Sequence, residues 1–200
     1  MRGYSRKTTP RVQSGRVQKK NNWVEAGNYY NTPQPFPAIY RKRPGQGFQH
    51  VLRQEDIETF ITLLPDWTEL SRGLGAIVLA PGDWITNGYY MSGVIHVQAW
   101  PRDLWDWWDI GDYDAERTTL QRLAVQTERH DDELLLKWTE NQVRAYQLLH
   151  VFLHELGHHH DTLTSRPGSR PNRGESYAEA YAERYEAVIW DRYLETFPVL

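Results

Sequence analysis

Apolar residues recur along this chain with two periods, which divide it into helical and extended stretches. Ile57, Phe60, Ile61 and Leu64 fall at helical spacing and predict a helix over residues 54–64, ended by Pro65. Residues 75–80 are a short apolar run bounded by glycine and proline, which reads as a strand. Within 84–90, Asn87-Gly88 between two β-rich arms predicts a hairpin, and 93–100 reads as a further strand closed by Pro101. Trp105, Trp107 and Trp108 stand among aspartates in 103–114, a predicted loop whose tryptophans cap the core. Two arms, 120–129 and 133–137, flank His130-Asp131-Asp132 as a second hairpin, and a helix from Ala115 onward fits the same pattern.

Two long helices follow. Thr139 and Gln142 form a capping box that starts a helix running to about residue 160, with Leu148, Leu149, Phe152, Leu153 and Leu156 as its apolar stripe. Residues 161–174 are rich in Ser, Pro, Arg and Gly and predict a mobile loop. Over 175–197, Tyr177, Ala178, Tyr181, Ala182, Tyr185, Val188, Ile189 and Tyr193 predict a final helix.

The first 47 residues follow neither period. Thr32 to Pro37 contains three prolines, which block helix and favour extended structure. Charge separates this segment from the rest: residues 1–50 carry ten Lys/Arg and one acid, a balance of +9, whereas 51–200 sum to −12. We therefore expect two parts, a basic N-terminal extension over 1–47, partly disordered or docked through its aromatics, and a folded domain over 48–200. The extension reads as a solvated arm rather than a nucleic-acid contact. Without cysteine the chain can form neither disulfides nor thiolate metal sites. No run of 18 apolar residues and no apolar leader occur, so the expectation is a cytoplasmic protein that does not enter membranes.

The candidate chemistry lies on the first long helix, in His154-Glu155-Leu156-Gly157-His158. Histidines four apart differ by about 40° in azimuth and about 6 Å in rise, so both imidazoles can converge on one metal. Glu155 projects beside that face, where a carboxylate can act on a water at the metal without taking a coordination position. A catalytic zinc needs a third protein ligand, and Asp161, Glu175, Glu179 and Glu183 are the candidates downstream. Asp161 would have to reach back within its own helix. Glu175 and Glu179 stand one turn apart on the final helix, where one could ligate and the other accept the N–H of a ligand histidine. His150 reads as a capped or partly exposed neighbour, His159 and His160 as cationic helix-end residues, and His96 as a polar strand residue facing solvent.

His154-Glu155-Leu156-Gly157-His158 followed by Glu175-Ser176-Tyr177-Ala178-Glu179 resembles the gluzincin group of zinc metallopeptidases. The resemblance covers about residues 139–184. It implies an α+β, zincin-like fold in which a small mixed sheet packs on the motif helix and a C-terminal helix supplies the third ligand. It further implies zinc held by His154, His158 and Glu175, Glu179 orienting a ligand histidine, Glu155 as general base, and a peptide or protein substrate. A substrate strand is expected to add to 93–100 as an edge strand. Larger gluzincins use a Tyr or His for the oxyanion; no position matches that element by motif, and Tyr177, Tyr181 and His96 are the candidates. The rival expectation is a non-catalytic zinc-binding regulatory or partner-binding domain of the same fold.

Overall fold

The computed structural model describes residues 36–165 and 173–198, together with a short antiparallel ladder of β1 (Val12–Gln13) and β2 (Arg16–Val17). After β3 (Ala38–Arg41) and β4 (Phe48–Gln49) comes α1 (Gln54–Leu63), which starts where the Asp56 carboxylate accepts the Arg53 backbone N–H at 2.8 Å. A single turn, α2 (Trp67–Leu70), leads to β5 (Ala76–Ala80), β6 (Gly88–Met91) and β7 (Val94–Gln98). The main sheet has the order β3-β5-β7-β6, with β3, β5 and β7 parallel and β6 antiparallel on the edge. Both β5 and β7 are buried along their whole length, which is why β5 reads as an unbroken apolar run.

Alternation along these strands sorts their side chains. Ile77, Leu79, Ile95 and Val97 join the main core under the helices, while Ala76, Val78, Ala80 and Val94 form a small second cluster on the opposite face. His96 alternates with Ile95 and Val97 and so takes the opposite face, stacked on Tyr89 at 4.0 Å between ring centroids.

Three sequence expectations change here. The domain boundary at residue 48 comes too late, because Ala38–Arg41 is a strand of the sheet, paired parallel with Ala76–Leu79. Asn87-Gly88 does not turn; it leads into β6, and the reversal lies at Ser92-Gly93, where φ is +50° and +79°. Both turn residues are left-handed, the conformation that matches strand twist in a tight hairpin. Residues 94–98 are interior, so β6 and not β7 offers the open edge.

Beyond β8 (Trp100–Pro101), which pairs with β4, the predicted loop is ordered structure. β9 (Trp105–Asp109) runs into α3 (Ile110–Arg122), capped by the Asp109 carboxylate on the Asp112 N–H at 2.8 Å. β10 (Gln126–His130) and β11 (Glu133–Lys137) make the second hairpin, and β9 joins it as a three-stranded antiparallel sheet, β10-β11-β9. The helical and hairpin readings of this region thus each hold for half of it. Trp108 packs on the core, whereas Trp105 and Trp107 are about half exposed and do not cap it.

The motif lies on a continuous rod: α4 (Glu140–Tyr146), a π-helical turn over Gln147–Phe152, and α5 (Leu153–Thr164). The Thr139–Gln142 capping box begins it, and buried Gln147 ties it to the sheet by donating from Nε2 to the Gln98 carbonyl at 2.7 Å. α6 (Gly174–Thr196) packs against α5. Half of the stretch predicted as a mobile loop, 166–172, lies outside the described residues, as does most of the N-terminal extension. Among the described residues no helix is long and apolar enough to cross a membrane.

Candidate metal centre

The crossing of α5 and α6 is what assembles the site. A Cβ placed on Gly157 would lie 2.8 Å from Ala178 Cα and 3.1 Å from Tyr181 Cβ, so the two backbones approach as closely as a glycine facing an alanine permits. That contact places Glu175, three residues before Ala178, and Glu179, the residue after it, over the histidine face of α5. Asp161, fully buried near the end of α5, fixes the start of α6: its carboxylate accepts from Arg173 Nε at 2.7 Å and from the Arg173 backbone N–H at 3.2 Å. Asp161 is therefore a clamp between helices and not a ligand. Burial would raise its pKa, but the Arg173 and Ser165 hydrogen bonds outweigh that and hold it below the usual carboxylate range.

Three atoms of metal-binding type converge. His154 Nε2 lies 3.0 Å from Glu175 Oε2 and 3.2 Å from His158 Nε2, and His158 Nε2 lies 3.3 Å from Glu175 Oε2. Among the described residues these three are the only group of His, Cys, Asp or Glu side chains close enough together to hold one ion. Glu179 Oε2 meets the other nitrogen of His154, Nδ1, at 3.2 Å. Burial lowers the pKa of His154, and Glu179, Glu155 and Glu175 more than offset this, so the net shift is upward; the His154 hydrogen bond in turn lowers that of Glu179. Glu183 is exposed and lies apart from the cluster.

Glu155 sits between the histidine face and the sheet edge. It is buried, the backbone N–H of Tyr90 on β6 donates to its carboxylate, and burial pushes its pKa up to about 7. β6 approaches so closely that a Cβ on Gly88 would lie 2.5 Å from Val151 Cγ1 and 3.4 Å from Glu155 Oε1. Between β6 and the two helices runs an open cleft of about 790 Å³ that reaches His154, Glu155, His158 and Glu175.

The remaining histidines differ from expectation. His159 is buried, not a cationic helix end: it contacts the Arg72 carbonyl at 3.0 Å and Tyr90 Oη at 3.2 Å, and burial lowers its pKa to about 4. His160 stacks on Tyr177 and meets its Oη at 2.6 Å, and burial followed by Arg173 lowers its pKa. His150 is buried under Tyr146, with Nε2 at 2.9 Å from Glu116 Oε1 and Nδ1 at 3.9 Å from Glu179 Oε1. Glu116 lies on α3, 34 residues before His150, so no local pattern links the two. Of the oxyanion candidates, Tyr177 is engaged by His160, Tyr181 is buried among aromatics, and His96 is buried on the far face of the sheet rather than facing solvent. None of the three lines the cleft.

No known protein family, no curated protein and no solved structure matches this chain.

Proposed function

We propose that this protein is a zinc-dependent peptidase of gluzincin type that hydrolyses peptide bonds of a peptide or protein substrate. The observation that carries the reading is the triangle of His154 Nε2, His158 Nε2 and Glu175 Oε2, with sides of 3.0, 3.2 and 3.3 Å. Ligands about 2.0–2.1 Å from a tetrahedral zinc stand about 3.3–3.4 Å from one another, so the donor set fits zinc in number, type and spacing. Zinc held there would polarise a scissile carbonyl and acidify a coordinated water.

The other roles belong to the chain. Glu179 accepts the Nδ1–H of His154 and so turns the Nε2 lone pair toward the ligand position. Glu155 takes the proton of the attacking water and returns it to the leaving amine; a pKa of about 7 suits a group that must do both near neutrality. Tyr90 holds that carboxylate through its backbone N–H. The open edge of β6 offers backbone groups to an extended peptide lying in the cleft.

A second reading, a zinc-binding partner domain without catalysis, is favoured by the oxyanion candidates, none of which lines the cleft. Zinc stoichiometry and peptide-library cleavage decide between them. The peptidase reading expects one zinc in wild type, loss in Glu175→Ala, and retained zinc without cleavage in Glu155→Gln. Zinc without cleavage in wild type favours the partner domain, and no zinc in wild type overturns both.

A further inference from the structure

Beyond the histidine cleft the surface continues into a second pocket of about 330 Å³, at the small end of the range of ligand pockets. A smaller cavity joins the two: it shares Gly88, His154 and Glu155 with the cleft and Asn87, Glu116 and Tyr146 with the pocket. Indole and phenol rings wall the pocket, namely Trp84, Trp107, Trp108 and Tyr146, and Trp84 and Trp107 leave more than half their surface in water. Four carboxylates, Asp83, Asp106, Asp112 and Glu116, line it as well, and no lysine or arginine does.

From this we propose that the pocket is a specificity subsite for a lysine or arginine side chain of the substrate, an assignment that rests on the peptidase reading of the neighbouring cleft. Aromatic faces accept an ammonium or guanidinium together with its methylene stem, and carboxylates around them select against anions. The pocket does not suit a metal ion, because its carboxylates do not converge to ligand spacing as His154, His158 and Glu175 do. Hydrogen bonds hold three of the acids in place: Asp83 accepts from Gln98 and from the Ile85 and Thr86 backbone, Asp106 from the Trp108 indole at 2.8 Å, and Glu116 faces His150. Burial raises the pKa of Asp106, and a cation seated beside it would offset the cost of keeping that buried carboxylate ionised.

The test uses the full chain carrying Glu155→Gln, which leaves bound peptides intact. Hexapeptides that differ only in lysine, norleucine or glutamate at one position are titrated while the indole N–H signals of Trp84, Trp107 and Trp108 are followed by NMR. The lysine peptide is expected to bind at least tenfold more tightly than its norleucine twin, a difference of about 1.4 kcal/mol, and to move those indole signals. Asp112→Lys, at an exposed position, and Asp106→Asn should each reduce the preference below threefold. Equal binding of the three peptides, or a preference that survives both variants, overturns the subsite. The wild-type cleavage library separates the two proposals: cleavage without enrichment of Lys or Arg at any subsite keeps the peptidase and discards the pocket, whereas selective binding without cleavage keeps the pocket and discards the peptidase.

Discussion

Replacing Gly157 by alanine sets local helix preference against the geometry of the site. Alanine favours a helix interior over glycine by about 1 kcal/mol, so on propensity alone Gly157→Ala would stabilise α5. The added Cβ would stand 2.8 Å from Ala178 Cα and 3.1 Å from the Ala178 carbonyl oxygen, where ordinary contact begins at 3.4 Å. Neither neighbour is a flexible side-chain end, so α6 must retreat by about 0.6 Å or more. Overpacking of this kind costs about 1–3 kcal/mol, which leaves a net destabilisation of about 0–2 kcal/mol once the helix gain is subtracted. The larger effect falls on the proposed zinc site. Glu175 and Glu179 travel with Ala178, and a shift of about 0.6 Å exceeds the roughly 0.2 Å tolerance of a metal–ligand distance. We expect zinc affinity, measured by competition with a chromophoric chelator, to fall at least tenfold while circular dichroism reports an unchanged fold. Wild-type affinity together with a raised melting temperature would show that the helices do not meet at Gly157 and would refute the reasoning.

The same architecture yields other expectations. Glu179→Ala removes the acceptor on His154 Nδ1 and should weaken zinc binding by about 10–100-fold, read by the same competition assay. Asp161→Asn loosens the start of α6, so it should lower zinc affinity and also flatten acid unfolding. The folded pKa of Asp161 is depressed, so its stabilisation is present above the unfolded value near 3.9 and is lost as pH falls below it, and the variant should lose that part of the pH dependence. For His96 the sign is set by burial, which lowers its pKa from 6.5 to about 4. The unfolded chain binds the extra proton between those values, so stability falls as pH drops through that window, by about 2 kcal/mol between pH 7 and pH 5. Urea unfolding of His96→Gln at the two pH values should show that difference reduced.

The places where sequence and structure part company share a cause. Asn87-Gly88 has the composition of a hairpin turn, yet the chain turns at Ser92-Gly93, because the segment before Gly88 is held by the Asp83 carboxylate and Gly88 is needed where β6 presses on Val151. The charge of 1–50 masked Ala38–Arg41, whose strand character comes from a partner, β5, placed far along the chain. His159 follows His158 directly and reads as a helix end, but the rod continues to Thr164 and the Tyr90 side of the sheet buries it. No local pattern encodes these partners.

What the sequence determined by itself is what a single helix can hold. The spacing of His154 and His158 on one face, the place of Glu155 beside them, the Thr139–Gln142 cap and the apolar stripe beneath follow from 3.6 residues per turn and need no second element. Only the tertiary structure decided how Glu175 reaches the histidines, which strand lies at the open edge, on which side of the sheet His96 falls, and that acids and tryptophans 83 to 116 residues into the chain gather beside the cleft. Those facts depend on the approach of Gly157 to Ala178, the Asp161–Arg173 clamp and the pairing order of the sheet, contacts between segments whose meeting is fixed by packing rather than by period.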